Sequence, residues 1–253
     1  MKIKQPVLVL FAILLALSMY HSAQAAVVGQ KMAIPSYFYA TSAFWTQLQN
    51  GAPTVGLAII NPGSGPGRKF DQNYYNTTQS TKARGVIVLG YVYTNYGSRT
   101  VSKVKADIDK YYTWYGVEGI FFDEVSNSCA KQAYYLDLYN YVKAKGGIAK
   151  VVINPGINTQ ECYITAADII VNFEDNYTAY VNWSPSGWEF NYPADRFWHL
   201  VIGTSAADMP NAISLSKNRN AGWVYVTNDN LSNPWDTVPA DPYWSNELIL
   251  TGQ

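Results

Sequence analysis

Two pairs of adjacent carboxylates stand at the ends of apolar runs. Gly119-Ile120-Phe121-Phe122 leads into Asp123-Glu124, and Val171-Asn172-Phe173 leads into Glu174-Asp175. A lone acid after an apolar strand is most often a helix cap or a solvated end. Two acidic pairs placed alike can do more: one carboxyl can protonate a leaving oxygen while the other attacks or activates water, the division of labour of glycoside hydrolysis. Side chains alternate along a strand, so Asp123 and Glu124 face opposite ways wherever strand geometry persists, one toward substrate and the other in support. The same parity puts Asn172 and Glu174 on one face and leaves Asp175 to the following loop.

Other chemistries lack their parts. The chain has two histidines, His21 and His199, and two cysteines, Cys129 and Cys162. Its first residues read as a secretory signal. Lys2 and Lys4 precede an apolar stretch from Pro6 to Met19, and Ala23-Gln24-Ala25 forms a small-residue cleavage site. The apolar stretch is short for a membrane span and no stop-transfer charges follow, so residues 1–25 are expected to be removed and 26–253 exported, with no membrane partner. His21 leaves with the leader. One histidine and two cysteines could make a zinc site, but in an exported chain the cysteines fit a disulfide better. A serine hydrolase would depend wholly on His199, and no G-x-S-x-G elbow presents a nucleophile. Asn61-Pro62-Gly63-Ser64-Gly65-Pro66-Gly67 resembles a phosphate loop only superficially: it lacks G-K-[ST], and its prolines remove amide donors. No metal and no cofactor are therefore expected.

Composition narrows the partners. Eighteen Lys+Arg balance 18 Asp+Glu with no basic run, so the electrostatic footprint of a nucleic-acid binder is missing. Loss of Lys2 and Lys4 makes the mature chain mildly acidic. With 48% hydrophobic residues the chain can bury a core, which argues against disorder.

The acids need elements to hold them. Eight apolar runs are nearly continuous rather than alternating, the pattern of strands covered on both faces. They are 32–35, 55–60, 85–91, 119–122, 150–153, 168–173, 197–202 and 222–226. Helical spacing appears over 101–115 and 133–145, with Gly146 as a stop. Strand and helix alternating eight times in one domain predict an α/β fold, a single (β/α)8 barrel. The barrel is irregular: the first and fifth crossovers are short, 175–196 reads as a long aromatic loop, and the last helix must come from the tail. A doubly wound open sheet is the alternative.

In a parallel barrel the strand ends build the open face. They carry Asn61, Tyr91 and Tyr93, Asp123 and Glu124, Asn154, Asn172 and Glu174, Thr204, and Asn228 with Asp229. Cys129 and Cys162 follow strands four and five, which are neighbours, so they emerge on one face and should pair. Tyr37, Phe38, Tyr39, Tyr96, Trp183 and Trp188 add aromatic surface near those ends. Most should pack, and a few should stack on the apolar C–H faces of sugar rings.

Taken together, Gly119 to Glu124, Asn154-Pro155-Gly156, Phe173-Glu174 and Ile34-Pro35-Ser36-Tyr37 resemble the spherulin-4 family, also called spherulation-specific family 4. The resemblance runs over essentially the whole mature chain. It implies a (β/α)8 barrel and endo-acting hydrolysis of an α-1,4-linked, galactosamine-containing exopolysaccharide such as galactosaminogalactan. It implies that the functional acids are Asp123, Glu124 and Glu174. By similarity to related barrel glycosidases, Asp123 would be the nucleophile, Glu174 the acid/base and Glu124 auxiliary, with retained configuration. Tyr37, Tyr91, Tyr93, Asn154, Asn172 and Asn228 are the expected substrate-binding residues. A non-catalytic carbohydrate-binding or wall protein on the same barrel would keep the aromatics but would not need both Asp123 and Glu174 in the cleft. A metal-dependent deacetylase would want more than one histidine.

Overall fold

The computed structural model describes residues 26–253, so the expected signal segment, 1–25, lies outside the described residues. Eight strands form a closed barrel in chain order, with every neighbouring pair parallel. They are β1 (Lys31–Ser36), β2 (Val55–Ile60), β3 (Ile87–Tyr93), β4 (Gly119–Asp123), β5 (Lys150–Ile153), β6 (Ile169–Asn176), β7 (Phe197–Ile202) and β8 (Trp223–Val226). Closure comes from β1 against β8, where Lys31 pairs with Trp223 and Met32 with Val224. That pairing excludes the open sheet.

Helices cover the outside: α1 (Phe44–Asn50), α2 (Gln72–Lys82), α3 (Val101–Lys110), α4 (Gln132–Lys143), α5 (Tyr177–Asn182), α6 (Met209–Asn218) and α7 (Tyr243–Gly252). Covered on one face by helices and on the other by the barrel interior, β2 and β7 are buried at every position, which is why their sequences do not alternate. The interior is filled by aromatic rings. Phe121 of β4 meets Trp198 of β7 with centroids 5.8 Å apart, and strands that far around the barrel can touch only across its inside. Tyr91 stacks on Phe121 at 6.2 Å, and Tyr37 meets Tyr91 edge-on at 5.5 Å, forming a ring-to-ring floor beneath the barrel mouth. Truncating a ring buried as fully as Trp198 costs about 3–5 kcal/mol.

The departures from the sequence expectation have local causes. The helix expected over 101–115 stops at Lys110 and continues as a wider turn through Tyr115. Tyr111 lies against Gly90, where an added Cβ would come within 2.4 Å of its ring, so the ring needs a glycine in β3 and the helix a local distortion to reach it. The fifth crossover, by contrast, is short as expected, with only a 3-10 turn, Glu161–Thr165. The segment 175–196, expected as a loop, begins with α5, whose N-cap Asn176 accepts from the Ala179 N–H at 2.9 Å. Strand β6 runs three residues further than expected because its pairing with β7 continues as far as Asn176 and Ile202. Glu174 is thus held within a strand rather than in a loop.

Candidate active site

Asp123 ends β4, and its face is set by register: Tyr91 pairs with Phe121 and Tyr93 with Asp123, so Phe121 and Asp123 share the inward side. The Tyr91 phenol donates to Asp123 Oδ2 at 2.7 Å. Asn154, the residue after β5, donates from one nitrogen to Asp123 Oδ1 at 3.0 Å and to Glu174 Oε2 at 2.6 Å. Its backbone is fixed on both sides, donating to the Phe122 carbonyl and accepting from the Val125 N–H. Glu174 is held in turn by its own N–H, which donates to the Gly156 carbonyl at 3.1 Å. Gly156 sits at φ +70°, in the left-handed region that costs other residues strain, so the Asn154-Pro155-Gly156 turn presents both its amide and its carbonyl to the acids.

Burial separates the two carboxyls electrostatically. It pushes Glu174 up to about 7, with the nearby Asp123 charge adding to the rise and hydrogen bonds from Asn154 and Trp235 opposing it. Asp123 is raised too, by burial, but the donors Tyr91 and Asn154 favour its ionised form. Glu174 thus holds its proton up to near neutrality while the donors around Asp123 favour its ionised form, a bias in the direction a two-carboxylate mechanism needs. The Tyr37 and Tyr91 phenols are both pushed above their ordinary values, by burial first and then by the Asp123 charge, so they remain proton donors.

Glu124 departs from strand parity because it leaves the strand. It adopts φ +50°, a left-handed conformation that costs a side-chain-bearing residue about 1–2 kcal/mol. Its carbonyl accepts from the Tyr96 N–H and the Thr94 hydroxyl, which hold that turn. Its carboxylate is close enough to raise the Tyr91 phenol, and its backbone hydrogen bond favours ionised Asp123, so it belongs to the electrostatic surroundings of the acid pair.

The structure thus brings Asp123, Glu174, Asn154, Tyr91 and Tyr37 together. Tyr93 is set apart: the Arg99 guanidinium lies 4.2 Å over its ring, and both line a separate cavity with the 62–68 segment. Asn172 does not share the face of Glu174 through simple alternation. The β6–β7 register shifts between Val171 and Phe173, so Asn172 is the extra residue of a bulge, fully buried, with no hydrogen bond to its amide among the described residues. Asn228 is exposed beyond β8 and shares no hydrogen bond with the acids. Trp188 is structural, its indole N–H donating to the Thr159 carbonyl.

Trp235 was not legible in the sequence. It lies in the loop between β8 and α7, far from any strand end, packs on Tyr225 and reaches Glu174. Its carbonyl also accepts from the Tyr37 N–H at 2.9 Å, tying that loop to the mouth. Cys129 and Cys162 form a disulfide that ties the segment after β4 to the one after β5. His199 is buried, with Nδ1 2.7 Å from the Tyr180 hydroxyl, and burial lowers its pKa to about 3, so it is neutral. Among the described residues no three His, Cys, Asp or Glu side chains gather as metal ligands would.

A closed parallel barrel carrying two carboxylates on one shared amide at its C-terminal mouth defines the class, a (β/α)8 barrel with a bridged pair of acids on β4 and β6. The chain belongs to Spherulation-specific family 4, whose family model matches residues 31–249. It is 37% identical over 209 residues to Spherulin-4 of Physarum polycephalum, covering 78% of this chain and 63% of that protein. The chain therefore spans somewhat less than two thirds of that relative's length. Among solved structures, Sph3 of Aspergillus clavatus in complex with GalNAc matches with a TM-score of 0.78 and 26% identity, covering 89% of this chain and 98% of that one. A chitinase from Chromobacterium violaceum shares the fold at a TM-score of 0.58 and 11% identity, covering 87% of this chain and 99% of that one.

Proposed function

We propose that the protein is a secreted glycoside hydrolase that cuts within an α-1,4-linked exopolysaccharide containing galactosamine or N-acetylgalactosamine, with retention of configuration. One observation carries this reading: Asp123 and Glu174 accept from the same Asn154 nitrogen. The two oxygens it reaches are therefore at most two hydrogen bonds apart, a close approach that supports a retaining pair. The relative Sph3 was solved in complex with GalNAc, which supports the sugar class. The expected leader and the disulfide support export.

In this mechanism Asp123 attacks the anomeric carbon while Glu174 gives its proton to the leaving oxygen. Tyr91 and Asn154 aim the nucleophile. After the leaving chain departs, Glu174, now ionised, takes a proton from water, which attacks the glycosyl carbon and releases Asp123. Apart from the attacking water, each step uses only side chains of this protein. Purified protein should be incubated with exopolysaccharides of differing acetylation and the products identified by mass. Oligosaccharides from the galactosamine-containing polymers are expected; release from none of them would refute the reading.

A further inference from the structure

Beside Glu174 lies a cavity of about 320 Å³ whose walls include Gly156, Ile157, Glu174 and Trp183 but not Asp123 or Tyr91, with Asn154 buried behind Gly156. We propose that this cavity is the subsite for the leaving sugar, with Trp183 as its stacking wall and Asn154 Oδ1 as the acceptor for a hydroxyl or amide N–H of that sugar. The inference rests on the glycosidase reading above and adds to it which side of the scissile bond the cavity serves.

The side follows from the acid. A general acid gives its proton to the oxygen that leaves, so the departing sugar must sit against Glu174 and away from the nucleophile. The cavity meets that condition. Its volume is at the small end of ligand sites, fitting one sugar unit rather than a chain.

Trp183 is built to keep its place. It ends α5 and packs on Phe173 at 5.1 Å, on Tyr180 at 6.1 Å and edge-on to His199 at 5.0 Å. The Arg219 guanidinium lies 5.5 Å from its ring and donates to the Tyr180 carbonyl, anchoring the helix beneath. The buried Tyr180–His199 hydrogen bond locks the layer behind the indole. An aromatic held this firmly on one side and bordering a cavity on the other is a preorganised platform for the apolar face of a sugar.

The polar half of the subsite is Asn154. Its nitrogen serves both acids, while its Oδ1 is buried and accepts from no group among the described residues. Gly156, in the cavity wall, lies against it: a Cβ built there would stand 3.8 Å from Asn154 Oδ1 and 3.9 Å from Glu174 Oε2. A buried acceptor without a donor is costly, and a substrate O–H or N–H removes that cost only on binding.

The test compares two substrates with the same sugar chain before the scissile bond. One continues with a further sugar, and the other carries a nitrophenyl leaving group. For Trp183→Ala the ratio of kcat/KM on the extended oligosaccharide to that on the nitrophenyl glycoside should fall at least tenfold, mainly through KM. Trp183→Phe, which keeps an aromatic in the packed layer, should lower the ratio about threefold and carries the test if the alanine variant does not fold. An unchanged ratio in a folded variant overturns the subsite while leaving the glycosidase reading intact. Wild-type protein that cleaves neither substrate overturns that reading and the subsite with it.

Discussion

Tyr91 donates its phenol proton to Asp123 Oδ2 over 2.7 Å, from the strand next to the acid in the barrel. The bond favours the ionised carboxylate, against the burial that raises its pKa. Hydrogen bonds to charged groups contribute about 1.5–3 kcal/mol, so Tyr91→Phe should lower kcat/KM roughly 10- to 100-fold. It should also move the acidic limb of the pH profile upward, because Asp123 then needs a higher pH to ionise. A lowered rate with an unmoved acidic limb would make Tyr91 a packing residue only.

Glu174 should set the alkaline limb. Its pKa of about 7 means that activity requiring a protonated acid should fall as pH rises through neutrality. The same shift costs stability. A carboxyl raised from 4.5 to about 7 on folding stabilises the native state below the lower value and loses that contribution as pH climbs to the upper one, by up to about 3 kcal/mol. Glu174→Gln should therefore melt higher than the parent at pH 8 and show no such gain at pH 4. Equal melting differences at both values would contradict the assigned pKa.

Much of this was readable from residue types. Continuous apolar runs are forced by double burial, so the strand count and the acids at their ends could be read directly. Asn154 stood out because the end of a strand is where a barrel presents polar groups, whereas the Asn154-Pro155-Gly156 turn stood out only through the family resemblance. What escaped depended on contacts distant in sequence. Trp235 reaches Glu174 from a loop about sixty residues later, and no periodicity encodes that. The bulge at Asn172 and the left-handed turn at Glu124 broke an alternation that assumed an unbroken strand. The wide turn at Tyr111 answers to Gly90 in another strand.

Cys129 and Cys162 are separated by 33 positions and joined at the site face of the barrel. Where the fifth crossover has only a short turn instead of a helix, the bond supplies restraint that packing does not. In the chain-entropy description a loop of this length contributes about 3–4 kcal/mol. Replacing both cysteines by alanine should lower the unfolding free energy by that order in urea titrations. Thiol titration of the unfolded, unreduced parent should find no reactive groups, and two would refute the pairing.

Glu247 offers a second buried carboxyl, remote from chemistry. From α7 it accepts the Val226 N–H at 2.8 Å with one oxygen, while the other has no partner among the described residues. Burial raises its pKa well above the ordinary value, so the folded state holds its proton more tightly than the unfolded one. Stability from this group is present at low pH and is lost as pH rises. Glu247→Gln keeps the acceptor and removes the charge. It should raise Tm at pH 9 by at least about 2 °C, with no gain at pH 4.

The shared Asn154 nitrogen leads to the sharpest prediction, the division of work between the acids. If this close pairing serves retention, Asp123 acts as the nucleophile and no water attacks in the first step. The first-formed product should keep the anomeric configuration of the substrate, read by NMR before mutarotation. Asp123→Asn should abolish turnover while oligosaccharide binding survives. Glu174→Gln should slow substrates with poor leaving groups far more than nitrophenyl glycosides, because only the former need the proton. Glu124→Gln should act more weakly, through the turn that positions its neighbour. An inverted first product, or an Asp123→Asn protein nearly as active as the parent, would show the roles to be misassigned even if the polymer were the right one.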